Sequence, residues 1–439
     1  MAVTYQECLE KIYQLGRFGI KLELETIWNI LHTLGHPEKQ FRTVHVAGTN
    51  GKGSTATYIA SILQAAGFKT GIYTSPHLVR FNERICVNGQ MITDADVVAA
   101  YEAVNAADTG DRKATFFEIA TAMAFYHFSG QQVEWAVIET GMGGRFDATN
   151  IIVPEVCVIT NLSIEHTEYL GGTIRALARE KGGIIKENTP VVTGVTQPSG
   201  LKVLKQLARE KSAALYQFRH DFFARKNGGK STLTYRGLNL GIPDVKMPLP
   251  GDHQKENISL ALAACELIFD QCGKCSQNDK TDPRYRLTPE LAQKGLAMTR
   301  WPGRLEIIRQ KPLVILDGAH NLKAAQVLGK YLSTTLAGKK LTMVIGILDD
   351  KPYEAMLKYL LSAAHRVIIT RAKIDRSLSP HLLEAAAKKI FAGSIQVVED
   401  VPEAVHLAIS SSSEEDAVCI AGSLYVAGEA KEKFTMDFI

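Results

Sequence analysis

Short apolar runs alternate with longer amphipathic stretches along most of the chain. Runs of four or five mostly apolar residues, such as Trp135 to Glu139 and Val156 to Thr160, are typical of strands buried in a parallel sheet. Between them, apolar residues recur three and four positions apart, which predicts helices. This β-α-β alternation predicts an α/β fold with a doubly wound, mostly parallel sheet.

The alternation divides the chain into regions. It is interrupted between Leu215 and Gly241, where runs such as Leu233-Thr234-Tyr235 and Leu238-Asn239-Leu240 predict a small antiparallel excursion. At 439 residues the chain exceeds a single-core domain, so two or three domains are expected, with a boundary near Thr299. A second, smaller α/β unit follows, with strands predicted at Leu313–Leu316, Leu341–Ile345, Arg366–Ile369, Ile395–Val398 and Ala417–Ile420.

The composition is that of an ordinary globular protein, with 46% hydrophobic and 22% charged residues. The net charge of +4 is too small to argue for nucleic acid, and no apolar run is long enough to span a bilayer, so neither partner is expected. The first residues show no signal peptide, and seven scattered cysteines suit a reducing compartment. We therefore expect a cytoplasmic protein in which Cys272 and Cys275 have no metal or redox role.

The segment 44–55 combines the features of a phosphate-binding loop. An apolar strand ends at Gly48, and a glycine-rich turn leads into a predicted helix. Glycines let backbone N–H groups turn toward phosphate oxygens, and the helix N-terminus adds partial positive charge. Lys52 is placed to reach the terminal phosphates, and a hydroxyl of Ser54 or Thr55 to face magnesium. The alternative is a tight turn without ligand, because the spacing is shorter than in the usual motif.

Further polar side chains are predicted at neighbouring strand ends, where ligands bind in open parallel sheets. Ser75 opens a long loop, Glu139 ends an apolar strand, and Glu165-His166 follows another. A phosphate loop that uses magnesium needs an acidic residue at such a position, and Glu139 meets that need. The alternatives are that Glu139 is an ordinary strand-end charge and that His166 is structural, since magnesium prefers oxygen ligands.

The second unit opens its first helix with Asp317-Gly318-Ala319-His320-Asn321, directly after an apolar strand. Asp317 is placed to accept ribose hydroxyls and His320 to meet an anion at the helix start. An ordinary helix cap by Asp317 or Asn321 is the alternative. Arg304 lies at the predicted hinge, where it would either clamp phosphate on domain closure or form a rim salt bridge.

Taken together, these segments resemble the Mur ligase superfamily, and within it the folylpolyglutamate synthase and dihydrofolate synthase family. The resemblance spans nearly the whole chain, and the order of the motifs is more specific than any one of them. The matching motifs are Gly48-Thr49-Asn50-Gly51-Lys52-Gly53-Ser54, Thr74-Ser75-Pro76-His77-Leu78, Glu139 through Asn150, Glu180-Lys181-Gly182-Gly183-Ile184, Gly251 through Asn257, Gly303-Arg304-Leu305-Glu306, Asp317 through Asn321 and Gly422-Ser423.

The resemblance implies a ligase that uses ATP and Mg²⁺. Members of the family join L-glutamate to a folate carboxylate through an acyl phosphate, with release of ADP and phosphate, and bifunctional members also accept dihydropteroate. The resemblance further implies an ATP-binding central domain over residues 1–298 and a Rossmann-like glutamate-ligase domain over 299–439. A monomer is expected, with folate or dihydropteroate and glutamate as small-molecule substrates.

The resemblance also implies residue roles. The implied ATP contacts are Gly48, Thr49, Asn50, Gly51, Lys52, Gly53, Ser54, Asn257, Arg304 and Asp317. The implied magnesium ligands are Ser75, Glu139 and His166, and the implied catalytic groups are Lys52, Glu139, His166, Lys181 and His320, with Lys181 carbamylated. The implied pteridine-side pocket comprises Thr115, Phe116, Phe117, Glu118, Phe146, Asp147 and Ala148, and His320 and Ser423 are candidates for the glutamate end. The residues alone interpret Thr115 and Glu118 as a helix-capping box, and the two interpretations are compatible.

Three positions depart from the family pattern. Glu165 stands where aspartate usually precedes the histidine, Gly182 where alanine is usual, and Leu322 where proline is common. Two alternative functions stay open: a cell-wall ligase acting on a nucleotide-linked muramyl peptide, and a P-loop kinase or nucleotide-gated binding protein. The stretch from Thr115 to Glu118 and the lack of an N-terminal uridine-binding domain argue against the cell-wall ligase.

Overall fold

The computed structural model describes residues 3–15, 23–110, 112–165, 170–228, 231–275 and 283–437. Its contacts divide the chain into two compact units. The first comprises Met1–Pro248 and Gln254–Arg300, and the second comprises Leu249–His253 and Trp301–Ile439. Within the described ranges, no helix is both long and apolar enough to traverse a lipid bilayer.

The first unit is built on an eight-stranded sheet of order β4-β3-β2-β5-β1-β6-β7-β8. Strands β1 to β8 are Arg42–Ala47, Thr70–Tyr73, Ile85–Val87, Gln90–Met91, Trp135–Glu139, Val156–Ile159, Val191–Thr193 and Leu215–Gln217. Helices α1 to α9 are Tyr5–Gln14, Glu25–Thr33, Lys52–Ala65, Asp94–Ala107, Phe116–Gly130, Ile174–Gly182, Pro198–Glu210, Gln254–Cys275 and Pro289–Met298. The sheet is parallel from β2 to β8, and β3 and β4 extend it as an antiparallel edge.

Strand β1 lies where the strand order reverses, because β2 and β5 lie on one side of it and β6 on the other. Val46 of β1 is in register with Glu139 of β5 and with Val158 of β6. Ligands of open parallel sheets bind beyond the carboxyl ends of the strands at such a reversal. The glycine-rich turn after β1 occupies this position.

The predicted antiparallel excursion is confirmed as a three-stranded sheet of β9, β10 and β11, which are Phe223–Lys226, Thr232–Arg236 and Gly241–Lys246. The run Leu238-Asn239-Leu240 is not a strand but the connection before β11. Its three backbone N–H groups donate to the buried carboxylate of Glu266 on α8, at 3.1, 2.6 and 2.9 Å. This carboxylate thereby fixes the connection to the helix.

The second unit contains a six-stranded sheet of order β12-β13-β17-β14-β15-β16. Strands β12 to β17 are Glu306–Gln310, Leu313–Leu316, Leu341–Ile345, Arg366–Ile369, Ser394–Val397 and Ala417–Ala421. Helices α10 to α14 are Leu322–Thr335, Tyr353–Leu360, Pro380–Lys388, Val401–Ser410 and Leu424–Asp437. All pairings are parallel except that of β12 with β13. The prediction of a doubly wound, mostly parallel sheet with a smaller second α/β unit is confirmed.

Candidate active site

The turn after β1 requires glycine at two positions. Gly48 has φ +146°, and an added Cβ would lie 1.8 Å from Thr160 Oγ1. Gly51 has φ +82°, and its Cβ would lie 2.3 Å from Asn257 Oδ1. A side chain at either position would therefore be strained and would collide with a neighbour. Helix α3 begins directly afterwards at Lys52, so its N-terminal N–H groups face this turn.

The end of β6 holds the turn in place. Thr160 Oγ1 and Asn161 Nδ2 donate to the carbonyl oxygen of Asn50 at 2.7 and 2.8 Å. The N–H of Asn50 donates to Asn161 Oδ1 at 3.1 Å, and Thr49 exchanges hydrogen bonds with Ser163. Because these bonds use the backbone of Asn50 and the side chain of Thr49, the shape of the turn does not depend on a ligand.

Three predicted residues converge at the carboxyl end of β1 and β5. Lys52 Nζ lies 3.9 Å from Glu139 Oε1, and the N–H of Ser75 donates to Glu139 Oε2 at 3.2 Å. Lys52 Nζ also donates to the carbonyl oxygen of Thr49 at 3.3 Å. Glu139 is buried, which excludes the alternative of an ordinary strand-end charge in water. A buried carboxylate beside a lysine and a serine provides oxygen ligands next to a phosphate-binding turn.

Two buried hydroxyl groups follow residues of this cluster in the chain: Thr55 in the first turn of α3, which begins at Lys52, and Thr140 directly after Glu139. Neither Oγ1 atom has a hydrogen-bond partner in the described part of the chain. Such oxygens, together with Glu139 and Ser75, fit a site for an oxygen-seeking divalent cation and phosphate. Among the described residues, no group of three or more His, Cys, Asp and Glu side chains is arranged for a metal. His166 lies outside the described residues.

Lys181, near the end of α6, is 2% exposed and donates from Nζ to the carbonyl oxygen of Gly48 at 2.9 Å. Burial, and then the positive charge of Lys52, lowers the pKa of Lys181 to about 8. Asp147 and Glu165 act in the opposite direction. The lysine thus lies at the phosphate-binding turn and is far easier to deprotonate than an exposed one.

The capping box predicted at the start of α5 is present. Thr115 Oγ1 accepts from the N–H of Glu118, and the Glu118 carboxylate accepts from the N–H of Thr115. Glu118 also forms an ion pair with Arg112 at 2.6 Å, and Arg112 reaches Glu23 on the other side. Glu118 is therefore committed to fixing the helix start, whether or not it also contacts a ligand.

The aromatic residues at this helix start face two different neighbours. Phe116 stacks on Tyr13 of α1 with centroids 5.9 Å apart, and the guanidinium group of Arg84 lies over the Phe116 ring, 5.0 Å from its centroid. Phe117 packs against Gly141, where an added Cβ would come within 2.5 Å of the ring. Glycine at this position brings the backbone after β5 against a flat aromatic surface.

Asp147 ties the loop after β5 together. Its Oδ2 accepts from the N–H of Met142 at 2.9 Å, and its Oδ1 accepts from both the N–H and the hydroxyl of Thr149. Burial raises the pKa of Asp147, and these hydrogen bonds oppose that shift. Phe146 and Ala148 flank it, and the ring of Phe146 lies under the guanidinium group of Arg145 at 4.8 Å.

In the second unit, Asp317 follows β13 and is buried. It accepts from the N–H of Leu305 and of Ala319, both at 2.9 Å, and burial raises its pKa. Arg304 Nη1 donates to the carbonyl oxygen of Gly318 at 3.4 Å. The cap of α10 is Asn321, whose Oδ1 accepts from the N–H of Ala324. Asp317 therefore fixes the backbone around Arg304 and is not the helix cap.

The two candidates for the glutamate end also lie in the second unit. His320 Nδ1 is 2.9 Å from the carbonyl oxygen of Gly318. Ser423 is buried after β17, and its Oγ accepts from the N–H of Tyr425 at 3.1 Å. Both follow strands β13 and β17, which pair directly, so they share one edge of this sheet.

Comparison with known proteins identifies the family. The Mur ligase middle domain matches residues 46–265, and the Mur ligase glutamate ligase domain matches residues 303–424. The dihydrofolate synthase/folylpolyglutamate synthase of Bacillus subtilis is 35% identical over 446 residues, which cover 99% of this chain and 100% of the relative. The chain belongs to the folylpolyglutamate and dihydrofolate synthase family of Mur ligases. The family resemblance drawn from the motifs is confirmed.

Solved structures of this family agree with the assignment. Mycobacterium tuberculosis folylpolyglutamate synthase complexed with ADP is 32% identical, with a TM-score of 0.88 over 97% of this chain and 98% of that one. The Yersinia pestis bifunctional folylpolyglutamate synthase/dihydrofolate synthase, complexed with AMPPNP and Mn ion, is 27% identical, with a TM-score of 0.85 over 98% of each chain. ATP and a divalent metal are thus the cofactors of a ligase with this fold.

Several residues that shape the candidate active site were not predicted from the sequence. Thr160 and Asn161 hold the turn, Arg112 holds Glu118, and His45 contacts Thr149. Only His45 left a signal in the sequence, as the single polar position between Val44 and Val46 in a strand that ends at the turn. Thr160 and Asn161 stand at the end of the predicted strand Val156 to Thr160, but its pattern does not indicate that they bind the turn, and Arg112 lies in a loop.

Proposed function

We propose that this protein is an ATP-dependent ligase that adds L-glutamate to the carboxylate of a reduced folate, with dihydropteroate as a second acceptor. The observation that supports this most strongly is the cluster of Lys52, Glu139 and Ser75 at the carboxyl ends of β1 and β5. It lies in a chain that matches folate ligases over its full length.

The chemistry requires a better leaving group, because a carboxylate cannot expel oxide. In the proposed reaction an acceptor carboxylate oxygen attacks the γ-phosphorus of ATP, and ADP leaves. The glutamate amine then attacks the acyl phosphate, and phosphate leaves with the acceptor's oxygen. Lys52 and the backbone N–H groups of the turn at Gly48–Ser54 would neutralise the phosphate charge in both steps. Ser75, Glu139 and His166 would hold Mg²⁺, which supplies further neutralisation of the triphosphate.

Lys181 is the proposed site of carbamylation. A pKa of about 8 leaves a substantial fraction of its amine neutral near neutral pH, and carbamate formation converts a buried cation into an anion beside the phosphate turn. Asn257 approaches Gly51 and is a proposed ATP contact, with Arg304 and Asp317 as further proposed contacts from the second unit. The acceptor would bind to Thr115–Glu118 and Phe146–Ala148, and glutamate to His320 and Ser423.

The same proposal extends to the organisation of the chain. Residues 1–298 would form the ATP-binding central domain and residues 299–439 the glutamate-ligase domain. The enzyme would act as a monomer in the cytoplasm.

Product analysis after incubation with ATP, Mg²⁺, glutamate and either tetrahydrofolate or dihydropteroate tests the proposal. The expected products are an acceptor lengthened by one glutamyl residue and an equal amount of ADP. A phosphorylated acceptor that accumulates would indicate a kinase, and activity only with a nucleotide-linked muramyl peptide would indicate a cell-wall ligase. The Lys52→Ala variant should lose the activity, and comparison of the two acceptors decides the substrate range.

A further inference from the structure

His45 is a fully buried imidazole in the middle of the main sheet. Its register partners are Ile138 of β5 and Cys157 of β6, and directly paired residues of parallel strands point to the same face. Ile138 belongs to one apolar cluster on that face and Cys157 to another. A polar side chain between two apolar clusters is unfavourable unless hydrogen bonds compensate it.

The hydrogen bonds that compensate for burying His45 come from the loop that carries Asp147 and Thr149. His45 Nε2 lies 2.8 Å from Thr149 Oγ1, and Thr149 Oγ1 donates to Asp147 Oδ1 at 2.5 Å. Asp147 Oδ1 also accepts from the N–H of Thr149 at 3.0 Å, and its Oδ2 accepts from the N–H of Met142 at 2.9 Å. A continuous buried chain of hydrogen bonds thus runs from His45 in the centre of β1 through Thr149 Oγ1 to Oδ1 of Asp147.

The directions of these bonds follow from the acceptors. Both oxygens of Asp147 accept N–H bonds, as an ionised carboxylate does, so the single hydroxyl hydrogen of Thr149 points to Asp147. Thr149 Oγ1 must then accept from His45, which fixes the neutral Nε2–H tautomer. His45 Nδ1 has no hydrogen-bond partner in the described ranges. Burial, followed by the charge of Lys186, lowers the pKa of His45 to about 3, which agrees with a neutral ring.

We propose that His45 is a positioning residue for the acceptor, because it holds the hydroxyl of Thr149 so that Asp147 keeps one orientation beside Phe146 and Ala148. This inference rests on the proposed function, which assigns residues 146–148 to the acceptor pocket. His45 lies too deep in the sheet to touch a ligand itself and acts through Thr149 alone. Among the described residues, no hydrogen bond of this network links His45 directly to Lys52.

Three variants isolate the hydrogen bond. His45→Phe keeps the ring volume and removes the donor, whereas His45→Gln returns an amide N–H close to the position of Nε2. Thr149→Val removes the hydroxyl that links His45 to Asp147. Thr43→Val is the matched control, because Thr43 lies two residues earlier on the same face of β1, is equally buried, and makes one long hydrogen bond to the carbonyl oxygen of Val153 at 3.5 Å.

Steady-state kinetics should distinguish an effect on the KM for the acceptor from an effect on the KM for ATP. We expect His45→Phe and Thr149→Val to raise the KM for the acceptor by about tenfold, as loss of one buried hydrogen bond does, while the KM for ATP changes less than about twofold. His45→Gln should recover most of the affinity, and the double variant should be no worse than Thr149→Val. An unchanged acceptor KM in a folded His45→Phe protein would overturn the proposal, as would an equal rise in both KM values.

A spectroscopic measurement keeps the test independent of catalysis and of variant stability. In wild-type protein with nitrogen-15-labelled histidine, His45 should give the signature of a neutral Nε2–H ring that does not titrate between pH 5 and 8. An Nδ1–H tautomer would overturn the proposal, because His45 Nε2 could then not donate to Thr149 Oγ1. If wild-type protein forms no glutamylated product, the proposed function fails. If wild-type protein is active and the His45 variants bind acceptor normally, only the positioning role fails.

Discussion

Glu139 shows how one side chain combines structural and chemical demands. It is buried at the end of β5, accepts from the N–H of Ser75 and faces Lys52. A carboxylate in this position is costly unless a cation balances it, and here a lysine and a proposed Mg²⁺ do so.

Glu139→Gln preserves the shape of the side chain and removes its charge. We expect turnover to fall by about a hundredfold or more, since charge stabilisation during phosphoryl transfer is lost. The KM for ATP should change little. Glu134→Gln, just before the same strand and half-exposed, is the control and should leave turnover unchanged. Wild-type turnover in Glu139→Gln at saturating Mg²⁺ would contradict the assignment.

Lys181 is predicted to carry carbamate in a pH-dependent manner. Only the neutral amine reacts with carbon dioxide, and its pKa of about 8 means that the neutral fraction rises steeply from pH 7 to 9. Carbon-13 NMR in labelled bicarbonate should show one carbamate signal that grows over this range. The signal should vanish in Lys181→Met and persist in Lys186→Met, which removes a less buried lysine. A signal that survives the first substitution would disprove the assignment.

His45 should also influence acid stability. Its folded pKa of about 3 is below the unfolded value of about 6.5, so below pH 6.5 the unfolded chain binds a proton that the folded protein does not. The stability that the neutral, buried His45 allows is therefore fully present above pH 6.5 and is lost as the pH falls toward 3. Urea unfolding should show that wild type loses about 2 kcal/mol more than His45→Gln between pH 7 and pH 5. Parallel pH dependence in the two proteins would show that His45 is not buried as a neutral ring.

At the level of elements, buried strands were the most predictable part of the fold. Residues Trp135–Glu139 and Leu341–Ile345 match their predicted bounds, because parallel strands covered on both faces are mostly apolar along their whole length. Helix α7 escaped prediction because it begins Pro198-Ser199-Gly200, residues that usually mark a loop. In the structure Pro198 occupies the first turn, and Gly200 is required because a Cβ would come within 2.7 Å of Leu162.

Strand β12 and part of the candidate site were also not predicted from the sequence. Strand β12 (Glu306–Gln310) was not predicted, since it is a half-exposed antiparallel edge with an irregular register. The motifs around Lys52, Glu139 and Asp317 could be found because each follows an apolar strand. Arg112 could not be found, because a tertiary contact made from a loop leaves no periodic signal.

The strand-to-helix turn gives a prediction for a whole element. Gly51→Ala forces a side chain into φ +82° and against Asn257, so the turn must shift. We expect a loss of about 1–2 kcal/mol in unfolding free energy and at least tenfold weaker ATP binding. Gly130→Ala is the control, because apart from its chain neighbours and the backbone of its own helix no atom of the described residues would lie within 4 Å of the added Cβ. Calorimetric ATP affinity equal to wild type in Gly51→Ala would show that the turn does not form the phosphate site.

For the whole molecule, the proposed ligase activity depends on activation of the acceptor carboxylate by phosphorylation. Each unit contains a mostly parallel α/β sheet. The proposed ATP-binding residues Gly48–Ser54 follow the carboxyl end of β1, and Asp317 follows that of β13. Family membership fixes the type of ligase. It leaves the residues that carry each step to be tested on this chain.

The most direct measurement follows the acceptor's own oxygen. The reaction is run with acceptor whose terminal carboxylate is labelled with oxygen-18, together with ATP, Mg²⁺ and glutamate, and the inorganic phosphate released is examined by mass spectrometry. An acyl phosphate intermediate predicts one labelled oxygen in each phosphate, and release of that phosphate only when glutamate is present. Unlabelled phosphate, or phosphate release that is independent of acceptor and glutamate, would contradict the central claim.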